Sequence, residues 1–298
     1  MTETAVFILS LAGSTVRLAA PLILTALAGL YAERSGVVDI GLEGKLLAAA
    51  FAGAAAASFT GSAALGLSAA IAAAVALALL HGLAVVSAGG DQIVSGMALN
   101  LIAAGAAPSL AAAWFGTGGT TPPLPDAARF GPLLRGHSLL VWLAWLAVPA
   151  TALVLARTRF GLRLRAVGDS PEAVDAAGLS VVRLRYQALI VGGGLCGIAG
   201  ATLSMAQGNG FLRDMSAGRG YLALAALIFG KWRPWPVLGA CLMFAAADAL
   251  QARLQGVAGV PVRLIQALPY LLTVLVLAGF VGAARPPRAL GKPFTPPR

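Results

Sequence analysis

Long apolar runs broken by short polar punctuation dominate the chain, and their lengths predict membrane spans rather than soluble amphipathic elements. No Asp, Glu, Lys or Arg lies between Lys45 and Asp91, and none between Asp91 and Asp126. Both runs exceed the roughly 20 residues that a helix needs to cross a bilayer. Strict apolar–polar alternation is absent, which argues against a transmembrane barrel. Spans are predicted over residues 5–30, 46–60, 63–86, 93–114, 139–156, 186–207, 237–254 and 264–281. A further apolar stretch, Tyr221–Gly230, is too short to cross unless residues before it contribute. The pattern predicts an all-α polytopic membrane protein with about 8–10 transmembrane helices, some of them short or discontinuous.

Several spans carry residues that lipid does not favour. Arg17 and Pro21 interrupt the first; Pro21 predicts a kink, and Arg17 either snorkels or faces a protein interior, the second reading being favoured. His81 stands alone among apolar neighbours and reads as a packed or interfacial residue. Asn100 sits near the middle of its span, where it either bonds a neighbouring helix or faces a solute path. Asp248 is predicted to be buried in a late span. Gly193 and Gly197 make a GxxxG spacing that Gly200 and Ala201 continue, which predicts a close helix-packing face. Trp142 and Trp145 read as interfacial anchors.

Four polar stretches stand out. Tyr31–Lys45 is too polar for lipid and too apolar for a plain loop; Gly36, Gly41 and Gly44 are expected to break a continuous helix there. It reads either as an interfacial turn or as the break of a discontinuous helix, where transporters place solute sites. Gly116–His137, rich in Gly, Thr and Pro, predicts an irregular loop with room for a short re-entrant piece. Arg157–Arg185 is a polar island with six arginines and three acids between two spans. Within it Ser170-Pro171-Glu172 predicts a helix start and Gly178 its stop. A short capped helix held between spans is either a helical loop or a handle for something outside the membrane. Residues 285–298 form a basic, proline-rich tail that is expected to stay unstructured, leaving 1–284 as the transmembrane domain with its loop at 157–185.

Composition agrees with a lipid environment. Of 298 residues, 59% are hydrophobic and 11% charged, against about 25% charged in soluble domains. The net charge of +10 lies in loops between spans, as the positive-inside rule expects, with no aromatic-interleaved basic face, so nucleic acid is excluded as a partner. The same rule puts the island and the tail on the cytoplasmic side. It gives about nine crossings and an N-terminus outside. Cys196 and Cys241 both fall inside spans and imply no disulfide framework. The N-terminus lacks a signal-peptide pattern, so the first span is expected to stay attached.

No catalytic constellation is visible. There is no Walker A pattern, no GxSxG and no HExxH, and the chain has two histidines. Gly192-Gly193-Gly194 lacks a lysine and sits in mid-span. Neither an enzyme, a metal site nor a bound cofactor is expected.

Two stretches, ERSGVVDIGLEGKLLAAAFAG and TRFGLRLRAVGDSPEAVDAAGLSV, resemble the matching segments of ABC-importer permeases of the branched-chain amino acid and ribose type. Within that group the first is most similar to the nucleoside and simple-sugar branch served by basic-membrane-protein-type receptors, as is GRGYLALAALIFGKWRPWPVLGA. The likeness covers residues 21–281. It implies that the island is a cytoplasmic coupling loop docking on an ATP-hydrolysing subunit, through Arg165, Ala166, Gly168, Asp169, Glu172, Ala173, Ala176 and Gly178. It also implies a second permease subunit in a heterodimer, a tandem ATP-binding subunit, an extracytoplasmic solute-binding lipoprotein, and residence in a bacterial inner (plasma) membrane. The family often has Asn where this chain has Asp39, which makes an ionisable residue of a neutral one.

The expectation is a nucleoside permease subunit working by alternating access, with Asp39, Glu43 and Asn100 in the solute pathway. Within the class the rival is a branched-chain amino acid or ribose permease. Outside it stand an ATPase-independent carrier or channel using Asp39 or Glu43 as a proton site, and a membrane enzyme.

Overall fold

A computed structural model of the chain describes residues 3–134, 136–254, 271 and 285–294. The first apolar run folds as one 32-residue helix, α1 (Glu3–Arg34), which continues through Pro21. Its inward face begins at Ala19, and from there to Ala32 every residue is buried. Arg17 lies before that point and is exposed among the described residues, which does not match the inward-facing reading.

The remaining helices follow the apolar runs, and local capping chemistry sets several of their starts. They are α2 (Leu42–Thr60), α3 (Ala63–Gly82) with a π-helical turn at Leu83–Ser87, and α4 (Gln92–Phe115). Asp91 starts α4 by accepting the amides of Ile93 and Val94 at 2.8 and 2.9 Å. Then come α5 (Leu139–Arg157), α6 (Arg159–Asp169), α7 (Pro171–Ala176), and α8 (Val181–Ala201) extended by a π-helical stretch, Thr202–Gln207. α9 (Arg219–Phe229) and α10 (Pro234–Leu254) complete the described helices. Seven helical segments among the described residues are long and apolar enough to cross a membrane, and α9, at 11 residues, is a shorter apolar helix. The span expected at 264–281 lies outside the described residues.

α1 and α8 form the centre. α1 packs against α8, α10, α9 and α5, while α8 packs against α3, α1 and α2. One apolar core joins Leu22, Leu27 and Leu30 to Leu227 and Phe244; a second joins Leu24 and Ala28 to Leu46, Ala74 and Cys196. The small-residue face of α8 is what permits this. A methyl group at Gly197 would stand 2.5 Å from Ile71 Cα, and one at Gly200 would stand 2.7 Å from Ala50 N. The GxxxG spacing therefore marks a packing face toward α3, and Gly200 extends it toward α2.

Four local expectations are corrected. Gly44 does not break the chain: α2 begins at Leu42 with Gly44 in its first turn, and the glycine serves close approach to α4, since a methyl there would stand 2.7 Å from the Leu99 carbonyl oxygen. The polar island contains a second helix, α6, started by Thr158, whose hydroxyl accepts the Gly161 amide at 3.0 Å. Phe160, Leu164 and Val167 recur on one face of it, and that face is covered. The Gly116–His137 loop holds a two-stranded antiparallel hairpin, β1 (Pro132–Leu134) and β2 (His137–Ser138), and it is pinned to the segment after α8. Thr121 exchanges hydrogen bonds with Phe211, its amide donating to the Phe211 carbonyl (3.0 Å) and its hydroxyl accepting the Phe211 amide (2.8 Å). Finally, tail residues 285–294 are docked rather than unstructured. The Ala289 amide donates to the Gly168 carbonyl at 2.8 Å, and the Gly291 amide to the Gly36 carbonyl at 3.0 Å. Prolines remove donors from the tail but leave those two amides, and their preset φ lowers the entropy lost on docking.

Candidate functional site

The link between α1 and α2 and the helices around it bury several polar side chains, among them Ser35, Asp39, Lys45, His81 and Gln92. Glycine at position 36 supplies the left-handed backbone (φ +87°) that turns the chain after Arg34. Three residues later the Asp39 carboxylate accepts two hydrogen bonds from Lys45 Nζ, at 2.7 and 2.6 Å, with Asp39 3% and Lys45 1% exposed. Burial opposes ionisation of Asp39. The Lys45 ammonium, and after it His81 and the Gly41 amide, outweigh that and hold the carboxyl below the usual carboxylate range. His81 is itself closed into the structure: its Nδ1 is 3.0 Å from Ser95 Oγ and its Nε2 3.0 Å from the Val38 carbonyl. Gln92 accepts the Val38 amide at 2.6 Å. These bonds give the polar groups of a buried loop their partners, as burial of irregular backbone requires.

One turn further on, a cavity of about 240 Å³ opens between α2, α4 and the segment that leads into α9. Glu43, Asn100, Asp214, Ser216 and Tyr221 supply its polar groups, and Leu47, Leu101 and Ala104 its apolar wall. Asn100 is the hinge-pin of this region. Its Oδ1 accepts the Gly44 amide at 2.7 Å, while its Nδ2 donates to the Ile40 carbonyl and to Tyr221 Oη, both at 3.0 Å. The two readings of Asn100 are therefore not exclusive: it bonds neighbouring elements and also borders the cavity. The Glu43 carboxylate accepts the amides of Gly218 (2.9 Å) and Gly220 (2.6 Å) at the start of α9, where the helix dipole favours a negative charge. Gly220 has no room for a side chain, since a methyl would stand 2.5 Å from Glu43 Cα.

Of the three expected pathway residues, the structure brings Glu43 and Asn100 to one cavity and puts Asp39 outside its lining, in the closed pair with Lys45. Sequence reasoning missed Asp214, Ser216 and Tyr221. Their stretch, RDMSAGRGY, reads locally as a polar connection, and nothing in it signals contact with residues more than 170 positions earlier.

The island supplies a second candidate surface. Pro171 and Val174 of α7 are buried, whereas Asp169, Glu172, Ala173, Ala176 and Gly178 are exposed. Arg165 is half-buried, and Gly168 is buried beneath the Arg34 carbonyl. The expected N-cap Ser170 makes no side-chain cap bond. Gly178 (φ +77°) ends the helix, and its amide donates to the Asp175 carbonyl at 2.8 Å. The C-terminal end of α1 is also tied to the turn before α10: Arg34 Nε donates to the Trp232 carbonyl at 3.0 Å, and Trp232 Nε1 to Glu33 at 2.5 Å. Among the described residues, no group of three or more His, Cys, Asp or Glu side chains is placed to hold a metal ion.

Residues 11–277 match the family described as branched-chain amino acid transport system / permease component. The chain is 37% identical to the guanosine ABC transporter permease protein NupQ of Bacillus subtilis, over 94% of this chain and 95% of that one. It is 33% identical to the nucleoside ABC transporter permease protein NupC of Lactococcus lactis subsp. cremoris, over 91% and 92% of the two chains. It is 34% identical to the putative glucose ABC transporter permease protein TsgC13 of Haloferax volcanii, again over 91% and 92%. No solved structure matches the chain.

Proposed function

The chain belongs to the branched-chain amino acid transport system permease family, a multi-pass membrane component of ABC transport, and from that premise we propose that it is the nucleoside-translocating subunit of an ABC importer. The observation that carries the solute class is the pair of full-length relatives named for guanosine and nucleosides. The cavity supports it: Tyr221 adds an aromatic side chain to the lining, and Asn100, Ser216 and Asp214 offer amide, hydroxyl and carboxylate partners for hydroxyl-bearing solutes. At about 240 Å³ it lies just below the roughly 300–1,000 Å³ of formed small-molecule pockets, in keeping with a pathway that opens and closes. Glu43 and Asn100 border the pathway; Asp39 holds the backbone beside it.

The island is the coupling loop, with Asp169, Glu172, Ala173, Ala176 and Gly178 meeting a separate ATP-hydrolysing subunit on the cytoplasmic side. ATP chemistry lies on that partner, and this chain translocates. A second, related permease and an extracytoplasmic solute-binding protein complete the transporter. Six arginines in the loop support the inward orientation. A rigid element fixed to α5 and α8 converts closure of the ATPase into movement of those helices.

A sugar is the second reading, favoured by the glucose-named relative of similar identity. Binding of the partner receptor to a panel of nucleosides, sugars and amino acids separates the two. Uptake by proteoliposomes holding this chain, with and without the ATPase subunit, tests the mechanism: nucleoside uptake that needs ATP supports it, and uptake by the chain alone refutes it in favour of a carrier.

A further inference from the structure

The C-terminal segment 285–294 touches two parts of the molecule that are far apart in the chain, residues 167–185 and the α1–α2 turn. At one end Phe294 packs against the apolar cluster of Val167, Val174, Val181 and Leu184, which lies beneath α7. In its middle the Ala289 amide holds the Gly168 carbonyl at the end of α6, at 2.8 Å. Beside that, the Gly291 amide holds the Gly36 carbonyl at 3.0 Å, and the Lys292 carbonyl accepts from Arg185 at 3.3 Å. Arg185, 1% exposed, donates also to the Ser35 carbonyl at 3.3 Å, so one guanidinium joins the tail to the α1–α2 turn. Four residues beyond Gly36, the Ile40 carbonyl accepts the Asn100 amide that borders the cavity.

The backbone at these contacts admits little else. A methyl at Gly36 would stand 3.1 Å from the Ala289 carbonyl oxygen, and Gly291 has φ +77°. Pro287 and Ala289 are buried while their neighbours Pro286 and Arg288 are exposed, the mark of a seated strap. α7 itself has six residues, too few to hold a helix by its own hydrogen bonds. Its position is therefore set by what lies under Pro171 and Val174, and Phe294 is part of that support.

We infer that residues 287–294 are a tie that carries displacement of the coupling loop to the α1–α2 turn and so to the cavity, with Gly291 and Phe294 as its positioning residues. This rests on the reading of α6 and α7 as the surface on which the ATP-hydrolysing partner acts. With the tie seated, the end of α6 cannot shift from Gly36 without breaking one of two backbone hydrogen bonds: either Ala289 leaves Gly168 and Phe294 is lifted, or Gly291 leaves Gly36. The coupling is thus a contiguous set of contacts, and it needs a functional measurement to establish it.

The test uses the complete transporter with its receptor in proteoliposomes and reads solute translocated per ATP hydrolysed. Gly291→Pro removes the donated amide and cannot adopt the positive φ; Phe294→Ala removes the packing. Both are expected to lower the ratio about tenfold, within reach of substitutions along coupled networks, while hydrolysis continues and the amount of assembled permease is unchanged. Phe294→Leu, which restores an apolar side chain, is expected to return the ratio toward that of the unaltered protein. An unchanged ratio in both variants overturns the tie. So does a parallel fall of uptake, hydrolysis and assembled permease that Phe294→Leu does not repair, since that is what a structural prop alone would give. If the unaltered transporter moves solute without ATP, the permease reading falls, and the tie with it.

Discussion

Asp39 and Lys45 close an ion pair across the start of α2, with both side chains withdrawn from solvent and Nζ 2.6 Å from the carboxylate. Removing one member of such a pair leaves the other charge buried without a partner. Asp39→Asn is therefore expected to destabilise the protein by about 3–5 kcal/mol, and Asp39→Asn with Lys45→Met to recover most of that. Thermal unfolding of the detergent-solubilised protein measures both. A single substitution as stable as the double would show that the pair is not the support assigned to it.

The same carboxylate fixes the direction of a pH effect. Its folded-state pKa is held below the ordinary value, so its contribution is fully present above the unfolded value of about 3.9 and disappears as pH falls through the lower folded value. The unfolding midpoint of the unaltered protein is expected to drop more steeply below about pH 4 than that of the Asp39→Asn, Lys45→Met variant. Equal slopes for the two proteins would dismiss Asp39 as the cause.

Tyr221 Oη receives the Asn100 amide at the edge of the cavity. Tyr221→Phe deletes that bond and one polar group facing the solute, while leaving the ring. The half-saturating solute concentration for uptake is expected to rise roughly fivefold, the scale of one hydrogen bond near 1 kcal/mol. ATP hydrolysis without solute is expected to be unaffected.

Asp169 and Glu172 are exposed on the outer surface of the island, beside the buried Pro171 and Val174. Replacing both with lysine is expected to lower ATP-dependent uptake at least about tenfold, because like charges brought together at an interface cost several kcal/mol. Binding of the solute receptor to the outer face is expected to persist. Uptake at the original rate would detach these residues from the ATPase contact.

Close packing on α8 gives a prediction independent of function. Gly197→Leu places a large side chain where even a methyl would stand 2.5 Å from Ile71 Cα. A loss of at least about 1–3 kcal/mol is expected from overpacking, visible as a lower midpoint and a lower yield of monodisperse protein. Gly194→Leu, at a position with open space, serves as the control.

Much of this protein was legible from residue order. Charge-free runs longer than a bilayer is thick marked the helices, because lipid leaves the backbone no partner but itself. Pro171 and Gly178 marked α7, and the spacing of Gly193 and Gly197 marked the face of α8, since both signals act within a turn or two. α6 was within reach as well: Thr158 with the recurrence of Phe160, Leu164 and Val167 is a capped amphipathic pattern, hidden by the arginines between them.

What the chain's order did not contain is which distant groups answer one another. Glu43 meets the amides of Gly218 and Gly220, Asn100 meets Tyr221, and Gly36 meets Gly291 only after the helices have packed. A carboxylate or an amide carries no mark of its partner, and a proline-rich tail looks the same docked or free. Apolar length and local capping determined the elements of this protein by themselves; the tertiary structure alone decided its long-range polar pairings, because those depend on which surfaces the glycine faces allow to approach.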